Sequence, residues 1–308
     1  LGCLLRGRVL TVPAAMNDLY LSRLNRQIRM TTREGRAVRF FRNPLKTVCR
    51  PVLEGYARKT RSLVPVHVRT FWGDPMRIVV PERSSSYILK FGFWEEDVTT
   101  MMIRYLKAGD ILFDVGAHMG YFTLLGGAIV TQAGQVHAFE PAKWAFDLLG
   151  YNIRGRRNCT VHRKAVFREE SVLTFYDYGP IDSLFNSLYA ISDREPITAG
   201  MAPSACEVET VSLDDYIAEA GVVPDMVKID AETAEHEVLE GAARLIDRKR
   251  TIFILEVGGL LRENASSEQA AARLLQKGYT PHEYRDGEIV RHDFRKDDHY
   301  RNLLFLPP

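Results

Sequence analysis

From Asp110 onward, short apolar runs alternate with stretches whose apolar residues recur every three or four positions. That alternation predicts βαβ units and a mostly parallel sheet. ILFDV (111–115) reads as a buried strand, and YFTLLGGAIVTQA as the helix packed on it. QVHAFE (135–140) is the next strand, followed by a helix from Pro141, a residue favoured in a first turn, through about Ile153. CTVHRKAVF continues the alternation and SVLTFYDY reads as an antiparallel strand. Residues 177–205 then lose periodicity and collect Gly, Pro, Ser and Asp. A loop of that length inside a compact domain is usually functional or mobile. Order returns with VETVSLDDYIAEAG and the strand DMVKID (225–230). One helix is expected over ETAEHEVLEGAARLIDR, with Val238, Leu239, Ala242, Leu245 and Ile246 on one face, and then the strand TIFILEV. A helix around 267–277 and the terminal run NLLFLP complete at least six strands.

Upstream, VPVHVRTF, MRIVVP and YILKFGFW read as the strands of a small β cap before the helix EEDVTTMMIRYLKAG. Residues 16–30 place Leu19, Tyr20, Leu24 and Ile28 near one helical face and Arg23, Arg26 and Arg29 elsewhere, the pattern of a basic amphipathic helix. The expected organisation is a basic helical arm (1–63), a β cap (64–98) and an α/β domain with helices on both faces (99–308).

Charge sharpens this division. Residues 1–70 carry 13 Arg and 2 Lys against three acids, a net +12, so a chain of total charge +2 leaves −10 for the rest. The arm is expected to meet an anionic membrane surface, or an acidic face of its own or a neighbouring subunit. No apolar run approaches the roughly 18 residues that span a bilayer. Arg6 and Arg8 interrupt the opening apolar stretch, which argues against a cleaved export signal. Four widely separated cysteines without a CxxC pair fit a reducing cytoplasmic setting, with peripheral membrane contact through the arm.

Four apolar runs end in an acid: Asp114, Glu140, Asp230 and Glu256. Ligands of open parallel sheets bind outside the carboxyl ends of the strands. Each acid alone could be a helix N-cap. Four at one edge are a poor host for a pyrophosphate but suit ribose hydroxyls, an amino group and a cationic sulfonium, which favours S-adenosylmethionine over a dinucleotide. The turn DVGAHMG lacks both G-x-G-x-x-G and the phosphate loop GxxxxGK[ST]. Its Gly116 and Gly120 permit close backbone approach to a ligand. Glu140, 24 residues beyond Gly116, stands where an acid accepts hydrogen bonds from ribose. Tyr121, Phe122 and Trp144 are aromatic neighbours of this turn, with core packing the alternative role. His67, His137, His162, His292 and His299 lack metal-ligand spacing, and no metal is expected.

The segments FDVGAHMGYFTLL, VHAFEP, VSLDDY and VKIDAETAEHEVLEGA, in this order and spacing, resemble the FkbM-type methyltransferases, a class I Rossmann-like group that uses S-adenosylmethionine. The resemblance covers residues 85–257, and NLLFLP also fits. It implies that Asp114, Gly116, Ala117, His118 and Gly120 form the cofactor loop, that Glu140 binds ribose, and that Asp230 ends the fourth strand. The family usually has Asn where His118 stands, and a glycine where this chain has Thr233. O-methylation of a hydroxyl on a small molecule, sugar or lipid is the implied activity. Asp230 is the leading catalytic candidate, followed by Glu232 and His118. Two alternatives stand beside it: a nicotinamide-dependent oxidoreductase, and a non-catalytic scaffold for a cofactor or, less in keeping with the strand-end acids, nucleic acid.

Overall fold

The structure is a computed structural model that describes residues 12–33, 44–60, 62–189, 203–231, 233–258, 265–294 and 301–308. Two helices, α1 (Val12–Ile28) and α2 (Pro44–Thr60), precede a hairpin of β1 (Val64–Arg69) and β2 (Pro75–Val80). Then come α3 (Arg83–Phe91) and α4 (Glu96–Tyr105). The α/β body begins with β3 (Ile111–Val115), α5 (Tyr121–Val130), β4 (Gln135–Phe139), α6 (Lys143–Asn152) and β5 (Cys159–His162). A separate three-stranded sheet is built from β6 (Ala165–Val166), β7 (Val172–Asp177) and β8 (Ser204–Val211). The chain returns through α7 (Leu213–Ala220), β9 (Met226–Ile229), α8 (Glu235–Glu240), α9 (Ala243–Asp247) and β10 (Ile252–Val257). It ends with α10 (Ala265–Gln276), β11 (Thr280–Arg285), β12 (Glu288–Arg291) and β13 (Arg301–Leu306).

Among the described residues the main sheet has eight strands, in the order β12-β11-β13-β10-β9-β3-β4-β5. From β10 to β5 neighbours run parallel, while β13 lies antiparallel between β10 and β11. Successive residues of a strand face opposite sides. Leu112, Met226 and Ile254 accordingly join one core, and Phe113, Val227 and Phe253 the other. The chain runs outward from β3 to β5 and resumes at β9 on the other side of β3. Strand order therefore reverses between β3 and β9, which is where such sheets open a ligand crevice.

The amphipathic face of α1 is spent within the chain. Tyr20, Leu24 and Ile28 are buried in the same core as Trp72, Met102 and Leu106. Asn17 donates to the carbonyls of Ile103 and Leu106, both at 2.8 Å, Arg23 to that of Trp72 at 2.9 Å, and Gln27 to that of Phe91 at 2.8 Å. Leu19 alone of the expected apolar face remains exposed. Among the described residues no helix is long and apolar enough to cross a membrane.

Four local expectations are corrected. YILKFGFW is not a strand: its first five residues lie in α3, because the Glu82 carboxylate accepts from the backbone N–H groups of Ser84 and Ser85 and Gly92 closes the other end in the left-handed region. Such caps at both ends outweigh the local β-forming composition. The single helix expected over 232–248 is two, α8 and α9. Gly241 backs onto the Phe167 carbonyl, where a Cβ would stand 2.3 Å from the oxygen, and the Asp214 carboxylate restarts the helix by accepting from Arg244 and Leu245 N–H. Helix α6 starts at Lys143 rather than at Pro141, because Glu140 accepts from Ala142 N–H and holds the entry in a non-helical turn. The CTVHRKAVF stretch breaks into β5 and β6, which belong to different sheets.

Leu24→Ala should destabilise the full chain by about 2–4 kcal/mol in urea unfolding, the cost of a large-to-small change in a packed core. An unchanged midpoint and slope would mean that α1 does not share the core.

Candidate active site

A cavity of about 530 Å³ opens at the carboxyl ends of β3, β4, β9 and β10. Its inner wall is the turn after β3. Gly116 and Ala117 donate backbone N–H groups to the Phe139 carbonyl, both at 3.0 Å. Gly116 has φ +70, and a Cβ there would stand 1.8 Å from the Asp230 carbonyl oxygen, so only glycine lets this turn lie against the end of β9. His118 also has positive φ, at 50°. Its N–H donates to Glu140 Oε2 at 2.8 Å, and Ala142 N–H donates to Oε1 at the same distance. Glu140 thereby fixes both loops that border it and still turns to the cavity with spare lone pairs.

Lys228 joins the segments at the switch point. Its ammonium donates to the Gly116 carbonyl at 3.0 Å and to Asp230 Oδ2 at 3.1 Å, and lies 3.7 Å from Asp114 Oδ1. Burial opposes its charge, but Asp230, Asp114 and Glu95 outweigh burial and keep it protonated. Burial likewise pushes Asp230 up, yet Lys228 and a hydrogen bond with Glu256 hold it below the usual carboxylate range. Glu95 behaves oppositely: burial and the nearby Asp230 push it up to about 8. Its backbone is left-handed, φ 36°, and no hydrogen bond or ion pair is made by its side chain among the described residues. Burial raises Glu140 and Glu235 each to about 7. His118 is lowered by burial, and its Nε2 is buried without a partner.

Of the residues expected at the site, Gly116, Ala117, His118, Glu140, Asp230 and Glu256 line the cavity. Asp114 and Gly120 are not among the lining residues. Asp114 is fully buried beneath it, accepting from Thr123 Oγ1 at 2.6 Å, and Gly120 packs against Leu149. Asp114, the penultimate residue of its strand, points into the sheet's layer and not out of its end, and Gly120 stands at the start of α5. Glu232 lies outside the described residues. Tyr121 and Phe122 are buried and also line the cavity, whereas Trp144 stands edge-on to the His118 ring at 4.9 Å and faces a different groove. Thr233 occupies a left-handed backbone position, φ 81°, and its hydroxyl is 2.9 Å from that of Ser187 in the long loop.

Several lining residues escaped the sequence reading, among them Glu82, Arg83, Lys164 and Glu235, and two matter most. Lys228 carried a usable signal, a lone cation inside the apolar strand MVKI, since an unpaired buried charge is too costly to persist. Glu95 carried none: in the run WEED it looks like any acid before a helix.

A cofactor fits this lining by its chemistry. Among the described residues, six carboxyl groups (Glu82, Glu95, Glu140, Asp230, Glu235, Glu256) line the cavity against the cations Arg83, Lys164 and Lys228, which favours a cationic ligand. Sheet order, glycine turn and strand-end acids together define a class I Rossmann-like methyltransferase. Residues 114–281 match the Methyltransferase FkbM domain, more than half of the chain, and the chain belongs to that family. Family membership replaces the oxidoreductase alternative.

The chain is 36% identical over 159 residues to the 31-O-demethyl-FK506 methyltransferase FkbM of Streptomyces tacrolimicus, covering 44% of this chain and 60% of that protein. It is 25% identical over 162 residues to the hexuronic acid methyltransferase AglP of Haloferax volcanii, covering 52% and 61%. The chain thus spans about 60% of the length of these curated relatives. Among solved structures, methyltransferase FkbM from Methylobacillus flagellatus KT aligns with TM-score 0.41 and 15% identity, over 64% of this chain and 43% of that one.

The raised carboxyls make stability fall with pH. Glu140, near 4.5 when unfolded and about 7 when folded, binds more protons in the native state between those values. The free chain should lose stability as pH rises through that window. Urea unfolding of Glu140→Gln at several pH values should show a shallower decline, with Glu95 and Glu235 maintaining the remainder. An identical slope would mean that Glu140 is already ionised in the folded chain.

Proposed function

We propose that this chain transfers a methyl group from S-adenosylmethionine to a hydroxyl oxygen of a sugar or a natural product. The observation that carries the reading is the set of raised, cavity-facing carboxyls around one protonated lysine, a site whose charge is completed by a cation. The names of the two curated relatives, one acting at an oxygen of FK506 and one on a hexuronic acid, support the oxygen acceptor. When bound, S-adenosylmethionine supplies an electrophilic methyl carbon on a sulfonium.

The chain's own residues supply position and proton handling. Glu140 accepts hydrogen bonds from ribose hydroxyls, and the Gly116–His118 turn gives the ligand close access to backbone. Asp230, held ionised by Lys228, is a poor base and a good anchor for an ammonium group. Glu95 has the opposite character: burial pushes its pKa up to about 8, near the range where a general base is effective, and among the described residues no neighbour hydrogen-bonds its oxygens. With the cofactor bound, Glu95 would hold the acceptor hydroxyl and take its proton, while the methyl group would leave a sulfonium that becomes a neutral thioether. Neutral His118 is the second base. Tyr87, Trp94, Tyr121 and Phe122 keep this end of the cavity poor in water, where orientation contributes most to the rate.

A cation entering this site draws the raised carboxyls toward ionisation, so cofactor binding near pH 7 should release protons. Calorimetry in buffers of different ionisation enthalpy should therefore give different heats for S-adenosylmethionine, and a smaller spread for its uncharged-sulfur product. Equal heats across buffers would remove the charge argument. Glu140→Ala should weaken cofactor binding by roughly 10- to 100-fold, the range for hydrogen bonds involving a charged group.

The catalytic assignment is read in single turnovers at saturating cofactor. Glu95→Gln should slow methyl transfer by roughly 100-fold while leaving cofactor affinity nearly unchanged. Asp230→Asn should mainly weaken affinity. A Glu95→Gln rate within a few-fold of the parent would transfer the role to His118.

A further inference from the structure

A second concavity, of about 480 Å³, lies between the β1–β2 hairpin and helix α6 and shares no lining residue with the reaction cavity. Its floor follows from two periodicities. Trp144, Leu148 and Tyr151 fall on one face of α6, and Arg77 and Val79 on one face of β2. Arg154, just beyond α6, closes the end.

The charge in this groove is unanswered. The guanidinium carbon of Arg77 lies 4.8 Å from the centroid of the Tyr151 ring, and that of Arg154 lies 5.0 Å from the same centroid. Neither arginine forms an ion pair or a side-chain hydrogen bond among the described residues. Asp147, the acid on the rim, is already paired with Lys143 at 2.6 Å. Each cation gains about 0.5–1 kcal/mol from an aromatic face at an exposed site, but two cations gathered on one ring repel each other. Arg77 Nε and Trp144 Nε1 are in addition buried without partners, although buried polar groups are almost always paired.

The arrangement is held in place. Asn152 Oδ1 accepts from Arg77 N–H at 2.7 Å, and its Nδ2 donates to the Arg77 carbonyl at 2.9 Å and to that of Met119 at 2.8 Å. His67 Nε2 lies 3.2 Å from the Tyr151 hydroxyl. A guanidinium matches the planar, two-pronged geometry of a carboxylate or phosphate, and two of them stand within 5.0 Å of the Tyr151 ring centroid. Beside them Val79, Leu148 and Trp144 offer apolar surface.

We propose that this groove is a second binding site, for a small molecule that joins a phosphate or carboxylate group to an apolar or aromatic body. The anion bridges Arg77 and Arg154, and the body lies along Leu148 and Trp144. The proposal does not depend on the identity of the methyl acceptor, because the two cavities are separate. The Trp144 ring of the groove meets the His118 ring edge-on at 4.9 Å, so an occupant of the groove presses on a residue that borders the reaction cavity.

Calorimetry on the full chain with phenyl phosphate, phenylacetate and inorganic phosphate tests this. At least one aromatic anion should bind, more tightly than inorganic phosphate, and with saturating S-adenosylhomocysteine present. Preference for phenyl phosphate identifies a phosphorylated occupant, and preference for phenylacetate a carboxylated one. Arg154→Gln, an exposed change, and Arg77→Gln should each weaken that binding by about tenfold or more, with the affinity for S-adenosylhomocysteine unchanged. Arg83→Gln, on the reaction cavity, should leave the probe's affinity unaltered. Competition between probe and S-adenosylhomocysteine, loss of probe binding in Arg83→Gln alone, or binding indifferent to Arg77→Gln and Arg154→Gln would each overturn the proposal. So would the absence of binding by either aromatic anion.

Discussion

The arrangement of this site depends on one buried ammonium. Lys228 stands opposite Asp114 in the register of β9 and β3, at the point where strand order reverses. Three groups meet it: an acid from each strand and a carbonyl of the glycine turn. Without it, Asp114 would be a bare charge under the cavity floor and Asp230 a bare charge at its edge. Breaking one member of such a cluster costs more than the pair contributes, since it strands the others in a low dielectric. The same cation explains why carboxyls a few residues apart behave differently. Asp230, in contact with it, is held ionised. Glu95, buried and in the field of Asp230, is pushed up to about 8.

Much of the fold was legible because its main signals are periodic. Parallel strands covered on both faces appear as near-continuous apolar runs, and ILFDV, MVKI and FILEV each lie in the strand expected of them. What misled was local composition without tertiary partners. YILKFGFW has the aromatic and β-branched content of a strand, yet Glu82 and Gly92 cap it as a helix. The break at Gly241 depends on the carbonyl of Phe167, more than 70 residues away in sequence, and no window contains both.

The site was legible in a similar measure. Four strand-end acids drew attention to one edge of the sheet, and the structure gathers three of them, Glu140, Asp230 and Glu256, around the cavity. Asp114 differs by a single residue of strand: with Val115 still inside β3, its side chain lies within the layer. Glu95 arrives from the amino-terminal part of the chain, carried in by α4. Which residues from outside the Rossmann-like core complete the cavity is a question of docking, and α1, α3 and α4 answer it through a shared core that no linear motif records.

Thr233 carries a consequence for recombination between relatives. A branched residue at positive φ is held against an intrinsic preference of roughly 1–3 kcal/mol, and here its hydroxyl meets Ser187. The strained turn after β9 and the loop segment around Ser187 are therefore joined through a pair of oxygens. Loop and turn form a single exchangeable cassette. A chimera that imports a foreign loop but keeps Thr233 inherits the strain without the bond that answers it, whereas transplanting the two segments together preserves their fit.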